Sequence, residues 1–278
     1  MTLSIIGIVL FAALLHATWN AIVKASKDRT IVLGLISFGH VVFGLVLAFF
    51  VPPPPPESWG FIAASTIIHF AYYYLLHRSY HLGDLSQTYP IARGISPVLI
   101  TVGAMVFAGE VLSMQALAGI LVVTGGIFLL SSDIWRGKMA PGLLLTALAT
   151  GFSIAAYSLV DGIGARTSHA TAGYIAWLFI LEIFVGIFVI SRRRRQFFSI
   201  SRKVIFMGVG GGVISAVAYG LVIYAKTLSP LGMVSTLRET SVLFAALIGV
   251  ILLGERPWRA RLAAAFVVLS GVLLLALA

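Results

Sequence analysis

Residues 89–97, YPIARGISP, set an arginine between two prolines and beside a glycine, inside a run that otherwise reads as buried apolar helix. Residues 234–242, VSTLRETSV, repeat this stretch in altered form 145 positions later. Arg93 falls on Arg238 and Ser96 on Ser241. Without a gap, the same offset sets Tyr74 on Tyr219, Leu76 on Leu221, Gly109-Glu110 on Gly254-Glu255, Val122-Val123 on Val267-Val268 and Gly126 on Gly271. The first helix aligns only after a slip of seven residues, which brings Trp19-Asn20 opposite Tyr157-Ser158. Chance would rarely match the charged residues, so the chain reads as two related halves, residues 1–137 and 138–278.

Composition names the solvent. With 60% hydrophobic and 10% charged residues among 278, the chain is too apolar for a water-soluble globule and reads as an integral membrane protein. It has no cysteine, which excludes disulfides and thiolate metal sites. The net charge of +10 is high enough for a nucleic-acid binder, but nearly all of it lies in short loops between apolar runs. There it orients a protein in the membrane, so no nucleic-acid partner is expected. The first apolar run lacks a basic leader and carries His16, Trp19 and Asn20, which makes it a retained helix rather than a signal peptide.

A membrane-crossing helix needs about 20 mostly apolar residues. Runs of that kind lie at 3–23, 31–51, 59–78, 84–108, 113–132, 141–161, 173–191, 204–226, 229–253 and 259–277. The expected fold is therefore all-α, with ten transmembrane helices in two five-helix repeats. Five is odd, so the second repeat enters the membrane upside down relative to the first, an inverted-topology pair suited to alternating access. The loops after the odd-numbered helices hold Lys24, Lys27, Arg29, Arg78, Arg136, Lys138, the four arginines at 192–195, Arg202, Lys203, Arg256, Arg259 and Arg261, fifteen in all. The other face holds Arg166 and Lys226. This bias places the fifteen-charge face in the cytoplasm and both termini outside the cell's inner (plasma) membrane. The prolines at 52–56 then form a stiff outer spacer.

Ten helices in two repeats, each with a fourth helix ending in Gly-Glu and a glycine-containing fifth, resemble the drug/metabolite transporter superfamily, EamA-like branch. The resemblance covers essentially the whole chain and implies a ten-helix secondary transporter without cofactor. Members usually keep both termini in the cytoplasm, the reverse of what the charge bias predicts here. In phosphate-translocating members, basic residues on helices four and nine hold the phosphate, a role that resemblance of position extends to Arg93 and Arg238. Small multidrug exporters carry an essential glutamate in the first helix, where this chain has His16.

An arginine roughly 12–14 Å into a membrane helix costs at least about 2.5–3.5 kcal/mol, so Arg93 and Arg238 should face a cavity or a partner. Either they bind a substrate anion, for which a permanently charged planar fork is suited, or they form salt bridges to Glu182 or Glu239. Pro90, Gly94 and Pro97 are expected to break helix four and open backbone groups to the site. Tyr89, Ser96, Ser241, Trp19, Asn20 and the pair Tyr74 and Tyr219 complete the expected substrate contacts, Tyr74 being chosen from the YYY run at 72–74 because its repeat mate is also tyrosine. Glu182, Glu239 and His16 are candidates for coupling or ion pairing. His16, His40 and His69 lie at membrane depth, where a histidine can shuttle protons near neutral pH, but His40 and His69 are expected to act as interhelical hydrogen-bonders. His77 and His81 are four apart but lack a third ligand, so no metal is expected.

Several features read as structural. Glu110 and Glu255 would cap the helices that follow them, Trp59, Trp135 and Trp258 anchor the interfaces, and the arginines at 192–195 fix topology. GVGGG at 208–212 lies in an apolar span with no preceding strand, so close helix packing explains it better than nucleotide binding. No nucleophile with a base, paired carboxylates or nucleotide motif appears, which speaks against an enzyme or a primary pump. The expected function is secondary transport of a small anionic or zwitterionic metabolite such as an amino acid, organic acid or phosphonate, by a monomer or homodimer whose other partner is membrane lipid. The alternative is an exporter of neutral or cationic compounds in which the arginines are structural ion-pair partners.

Overall fold

The computed structural model describes residues 1–26, 28–82, 85–129, 139–251 and 258–278, and among them it is helical with no strand. The expectations for Lys27, Trp135, Arg136, Lys138, Gly254, Glu255 and Arg256 lie outside the described residues, as do those for the side chains of His81, Trp258, Arg259 and Arg261. The helices are α1 (Leu3–Lys24), α2 (Arg29–Ala48), α3 (Trp59–Leu82), α4 (Leu85–Phe107), α5 (Met114–Phe128), α6 (Pro141–Ser168), α7 (Thr171–Leu181), α8 (Ile183–Arg192), α9 (Arg194–Phe197), α10 (Arg202–Leu228), α11 (Leu231–Arg238), α12 (Ser241–Ile251) and α13 (Trp258–Ala276).

Local chemistry sets the ends. Thr2, Asp28, Ser113 and Ser201 accept the amide three residues on and so cap α1, α2, α5 and α10. α6 starts on Pro141, whose missing amide N–H no helix start needs, and stops at His169 in the left-handed region. Gly109, at φ +63°, turns the chain after α4, a conformation only glycine adopts without strain.

Among the described residues seven helices are long and apolar enough to cross a membrane, α7 and α8 together counting as one, so the chain is a multi-pass membrane protein. The fifth and tenth expected spans fall on the shorter apolar segments Met114–Phe128 and Leu262–Ala276. Span nine is split into α11 and α12, and span seven into α7 and α8 at Glu182. α4, by contrast, runs unbroken through Pro90, Gly94 and Pro97, which corrects the expected helix break. The break lies instead at Glu239 and Thr240, the repeat equivalents of Gly94 and Ile95. There Glu239, Thr240 and Val242 donate to the carbonyls three residues back, a tightened turn between two half-helices. A proline in a packed membrane helix is tolerated because neighbours satisfy the freed carbonyl. The carbonyl of Pro97 itself accepts from Thr101 Oγ1 at 2.8 Å.

Without a hydrophobic drive between helices in lipid, close packing of small residues holds the bundle. α10 packs on α1 and α2, α6 on α3 and α4, α5 on α13, α4 on α11, and α2 on α7. The GVGGG run works as expected of a packing element. Gly208 meets Leu35, and Gly212 lies so close to Gly39 and Ile36 that backbone touches backbone. A Cβ at Gly39 would collide with the Val209 carbonyl oxygen and come within 2.6 Å of Gly212 Cα. Gly39→Ala is expected to cost about 1–3 kcal/mol by forcing α2 off α10, whereas Gly7→Ala, with nothing within 4 Å, should leave the thermal midpoint unchanged or raised. Equal midpoints for the two variants would rule this packing out. Phe49, Phe107, Phe206 and Leu273 are among the large apolar side chains left outside, the surface a lipid-facing protein presents.

Candidate functional site

The interior of the bundle holds a polar layer. Arg93 on α4 is buried, and its Nε lies 2.8 Å from Glu239 Oε2 while its Nη2 donates to Ser241 Oγ at 3.2 Å. The Nε–Oε2 approach is an ion-pair contact rather than a hydrogen bond, since its alignment leaves neither atom hydrogen-bonded. Tyr89, one turn back, has its ring 5.7 Å from the Arg93 guanidinium carbon. Ser96 donates to the Arg93 carbonyl instead of reaching across. The α11–α12 break is thus what sets both Glu239 and Ser241 against Arg93.

Arg238, its repeat mate, is different. It ends α11, is equally buried, and lies over the Tyr219 ring at 5.4 Å and beside the Tyr157 hydroxyl. Among the described residues it has no ion-pair partner. Tyr219 donates to Asp161 Oδ2 at 2.5 Å, and Tyr174 to Oδ1 at 3.1 Å. Lys226, fully buried, donates to the Ser158 carbonyl at 3.0 Å and to the Ser158 hydroxyl. His69 stacks on Tyr157 at 4.2 Å, and Tyr72 and Tyr219 stand edge-on to Tyr157 at 5.7 and 5.8 Å. Arg238 is therefore walled by aromatics, with Asp161 and Lys226 behind them.

The other expected residues fall as follows. Tyr74 is 58% exposed on the outside of α3, away from this layer. On a helix His69, Tyr72, Tyr73 and Leu76 share one face and Tyr74 does not, a 3.6-residue period that outweighs its match to Tyr219. Trp19 donates to His16 Nδ1 at 3.2 Å and Asn20 to the His16 carbonyl at 2.8 Å, so both turn back along α1, while His16 lies within electrostatic reach of both arginines. Glu182 pairs with His40, not with an arginine, at 2.7 Å. His77 sits beside Thr30, and Trp59 lies edge-on to Trp177.

Glu110 does not cap the helix that follows it, which Ser113 caps instead. Its two carboxylate oxygens accept from the Leu231 amide at 3.0 and 2.9 Å, so it caps α11 from across the bundle, and Arg166 pairs with it at 2.8 Å. Arg166 also donates to the carbonyls of Lys226 and Ser229. Sequence reasoning missed Asp161 and Lys226, which lie at the ends of their apolar runs and so read as boundary charges. The signal available was spacing, since Asp161 follows Tyr157 and Ser158 by one helical turn.

Comparison with known proteins agrees with this architecture. A solved crystal structure superposes with a TM-score of 0.76 over 100% of this chain and 98% of that chain at 17% identity, a likeness of fold, and 28 solved chains match in all. Among curated protein sequences none matches. The model of the EamA-like transporter family matches residues 141–277, which points to a membrane transporter rather than an enzyme. Residues 141–277 thus belong to the EamA-like transporter family, and the likeness of fold extends along the whole chain.

Proposed function

We propose that the chain is a secondary transporter of a small anionic or zwitterionic metabolite, working by alternating access between two inverted five-helix halves, 1–137 and 138–278. The observation that carries the substrate class is Arg238, a buried guanidinium with aromatic walls and no carboxylate partner among the described residues. Arg93 and Glu239 cancel each other's charge. Lys226 and Asp161 sum to zero whichever of them holds the proton. An arginine stays charged at any working pH, and an uncompensated buried ion costs several kcal/mol, which a substrate carboxylate or phosphonate would offset.

Pseudo-symmetric packing supports the inverted repeat. Exchanging the halves turns the α1–α10 contact into α6–α3 and the α1 contacts with α11 and α12 into α6–α4, while α2–α7, α4–α11 and α5–α13 map onto themselves. A Cβ at Gly126 would meet Val268 N at 3.0 Å, and one at Gly271, its mate, would meet Val123 N, the mate of Val268, at 2.7 Å. Such reciprocity is the mark of a two-fold relation. For orientation, the two cations on the sparse face are not free loop charges, since Arg166 is paired with Glu110 and Lys226 is buried. That strengthens the reading with both termini outside the plasma membrane.

The Arg93–Glu239 pair favours the alternative for that arginine, a structural partner in an exporter of neutral or cationic compounds. Thermal stabilisation by a panel of amino acids, organic acids, phosphonates and sulfonates separates the two. An anion from the panel should stabilise the protein, and Arg238→Ala should bind it about 10- to 100-fold more weakly, the loss of one charge-assisted contact. Unchanged affinity in Arg238→Ala would remove the anion site.

A further inference from the structure

The polar layer leaves one buried ionisable pair unused. His40 on α2 and Glu182 at the α7–α8 break are both buried, with Nδ1 2.7 Å from Oε2, and the Tyr73 hydroxyl donates to the same oxygen at 3.4 Å. His40 Nε2 is buried and has no hydrogen-bond partner among the described residues. The other polar groups facing the pair are His69 on α3, close enough to act on Glu182, and Ser37 on α2, beside Tyr73. Among the described residues no lysine or arginine pairs with Glu182. The pair also touches the candidate substrate layer. Its imidazole lies 5.0 Å from the Phe179 ring, one turn before Glu182 on the same rod, and Phe179 lies 6.4 Å from Tyr219.

We infer that the His40–Glu182 pair is the proton-binding site of this transporter, and that it moves one proton together with, and in the same direction as, a monoanionic substrate. The inference rests on the reading of Arg238 as the anion site. With Nδ1–H donating to Glu182, the neutral imidazole and the carboxylate carry a net charge of −1, and the Nε2 lone pair is free to take one proton. Proton uptake at Nε2 gives an imidazolium–carboxylate pair of net zero, and the same proton returns to water on the other side with no further reactant. Summed over the interior, Arg238 contributes +1, the unprotonated pair −1, and the Arg93–Glu239 and Lys226–Asp161 sets zero. The empty transporter is therefore neutral inside, a bound monoanion brings it to −1, and one proton restores neutrality. Low-dielectric interiors penalise net charge, so the empty and the doubly loaded forms reorient and the singly loaded forms do not. In this conformation Nε2 is sealed, so proton entry requires α2 to part from the α7–α8 rod.

Proteoliposomes enclosing a pH-sensitive dye, challenged from outside with each compound of the panel above at equal pH, test this. Monoanions that stabilise the purified protein should acidify the lumen, and zwitterions should not. Glu182→Gln should keep the stabilisation by the same anion, which certifies its fold, and lose the acidification. Imidazole 15N resonances of His40 should switch protonation state between acid and alkaline pH in wild type and in Arg238→Ala alike. A stabilising anion that leaves the lumen pH unchanged or alkalinises it, or a His40 resonance fixed across pH, overturns the proton site while leaving the anion site standing. Absence of any stabilising compound overturns the transport reading instead.

Discussion

Arg93→Ala lowers the stability of the folded protein by about 3–5 kcal/mol, whereas Arg238→Ala leaves it unchanged or raises it, although the two arginines are repeat mates. The difference follows from what each leaves behind. Without Arg93, the Glu239 carboxylate stays buried with its partner gone, the costly way to break a buried pair. Removing Arg238 leaves no carboxylate without its ion-pair partner among the described residues and takes a guanidinium out of the buried interior. A double replacement, Arg93→Leu with Glu239→Leu, should recover most of the loss, because apolar side chains of similar size replace a buried ion pair at little net cost. Denaturant unfolding in mixed micelles, followed by the fluorescence of the five tryptophans, reads all three variants. Equal losses for both single variants would mean that Arg238 has a counter-charge of its own.

Under the proposed two-fold repeat, the same contrast says how the halves have diverged. One copy of the repeat keeps a continuous helix and an arginine whose charge is cancelled, and the other has a helix break and an arginine left open. Glu239 stands where the first copy has Gly94, so one substitution supplies both the counter-ion to Arg93 and a residue at the break. Glu110 adds a second link between the halves, since it caps the α11 half-helix from the end of α4. In a fold whose halves are expected to exchange conformations, such cross-links are where one state is held against the other.

Hydropathy made the membrane class and most helix positions legible, and the 145-residue offset picked out Arg93, Arg238, Tyr219 and Ser241, which the structure places in the interior polar layer, because these depend on composition and on matched residues. Whatever depended on packing was not legible. Proline predicted a break in α4, but tertiary contacts outweigh a local propensity when neighbours satisfy the backbone, and the break fell at Glu239–Thr240, where no proline stands. Tyr74 inherited its expected role from Tyr219, yet a half-turn of helix put it outside. Glu110 was correctly a helix cap but for a helix 121 residues away, a choice that only the fold makes. His40 and Glu182 could be seen as buried ionisable groups, but nothing linear joins residues 142 apart.

Asp161→Ala should be the most damaging single change outside the Arg93 pair, with a loss of about 3–5 kcal/mol. Its carboxylate accepts from Tyr174 and Tyr219 and lies in the field of Lys226, so truncation strands two buried hydroxyls and a buried amine together. Tyr219 then loses the bond that holds its ring under Arg238, and the anion contact should weaken even at temperatures where the fold survives. Asp161→Asn separates these effects. The amide still offers an oxygen to one tyrosine, so the stability loss should fall to about 1–3 kcal/mol, the cost of one orphaned buried hydroxyl and an unbalanced Lys226. If Asp161→Asn lost as much stability as Asp161→Ala, shape rather than hydrogen bonding would hold Tyr219. If either variant bound the anion as tightly as wild type, Tyr219 would not be a wall of the Arg238 site. Under the proposed function Asp161 would act on substrate only through Tyr219, which carries its hydrogen bond to the ring beneath Arg238.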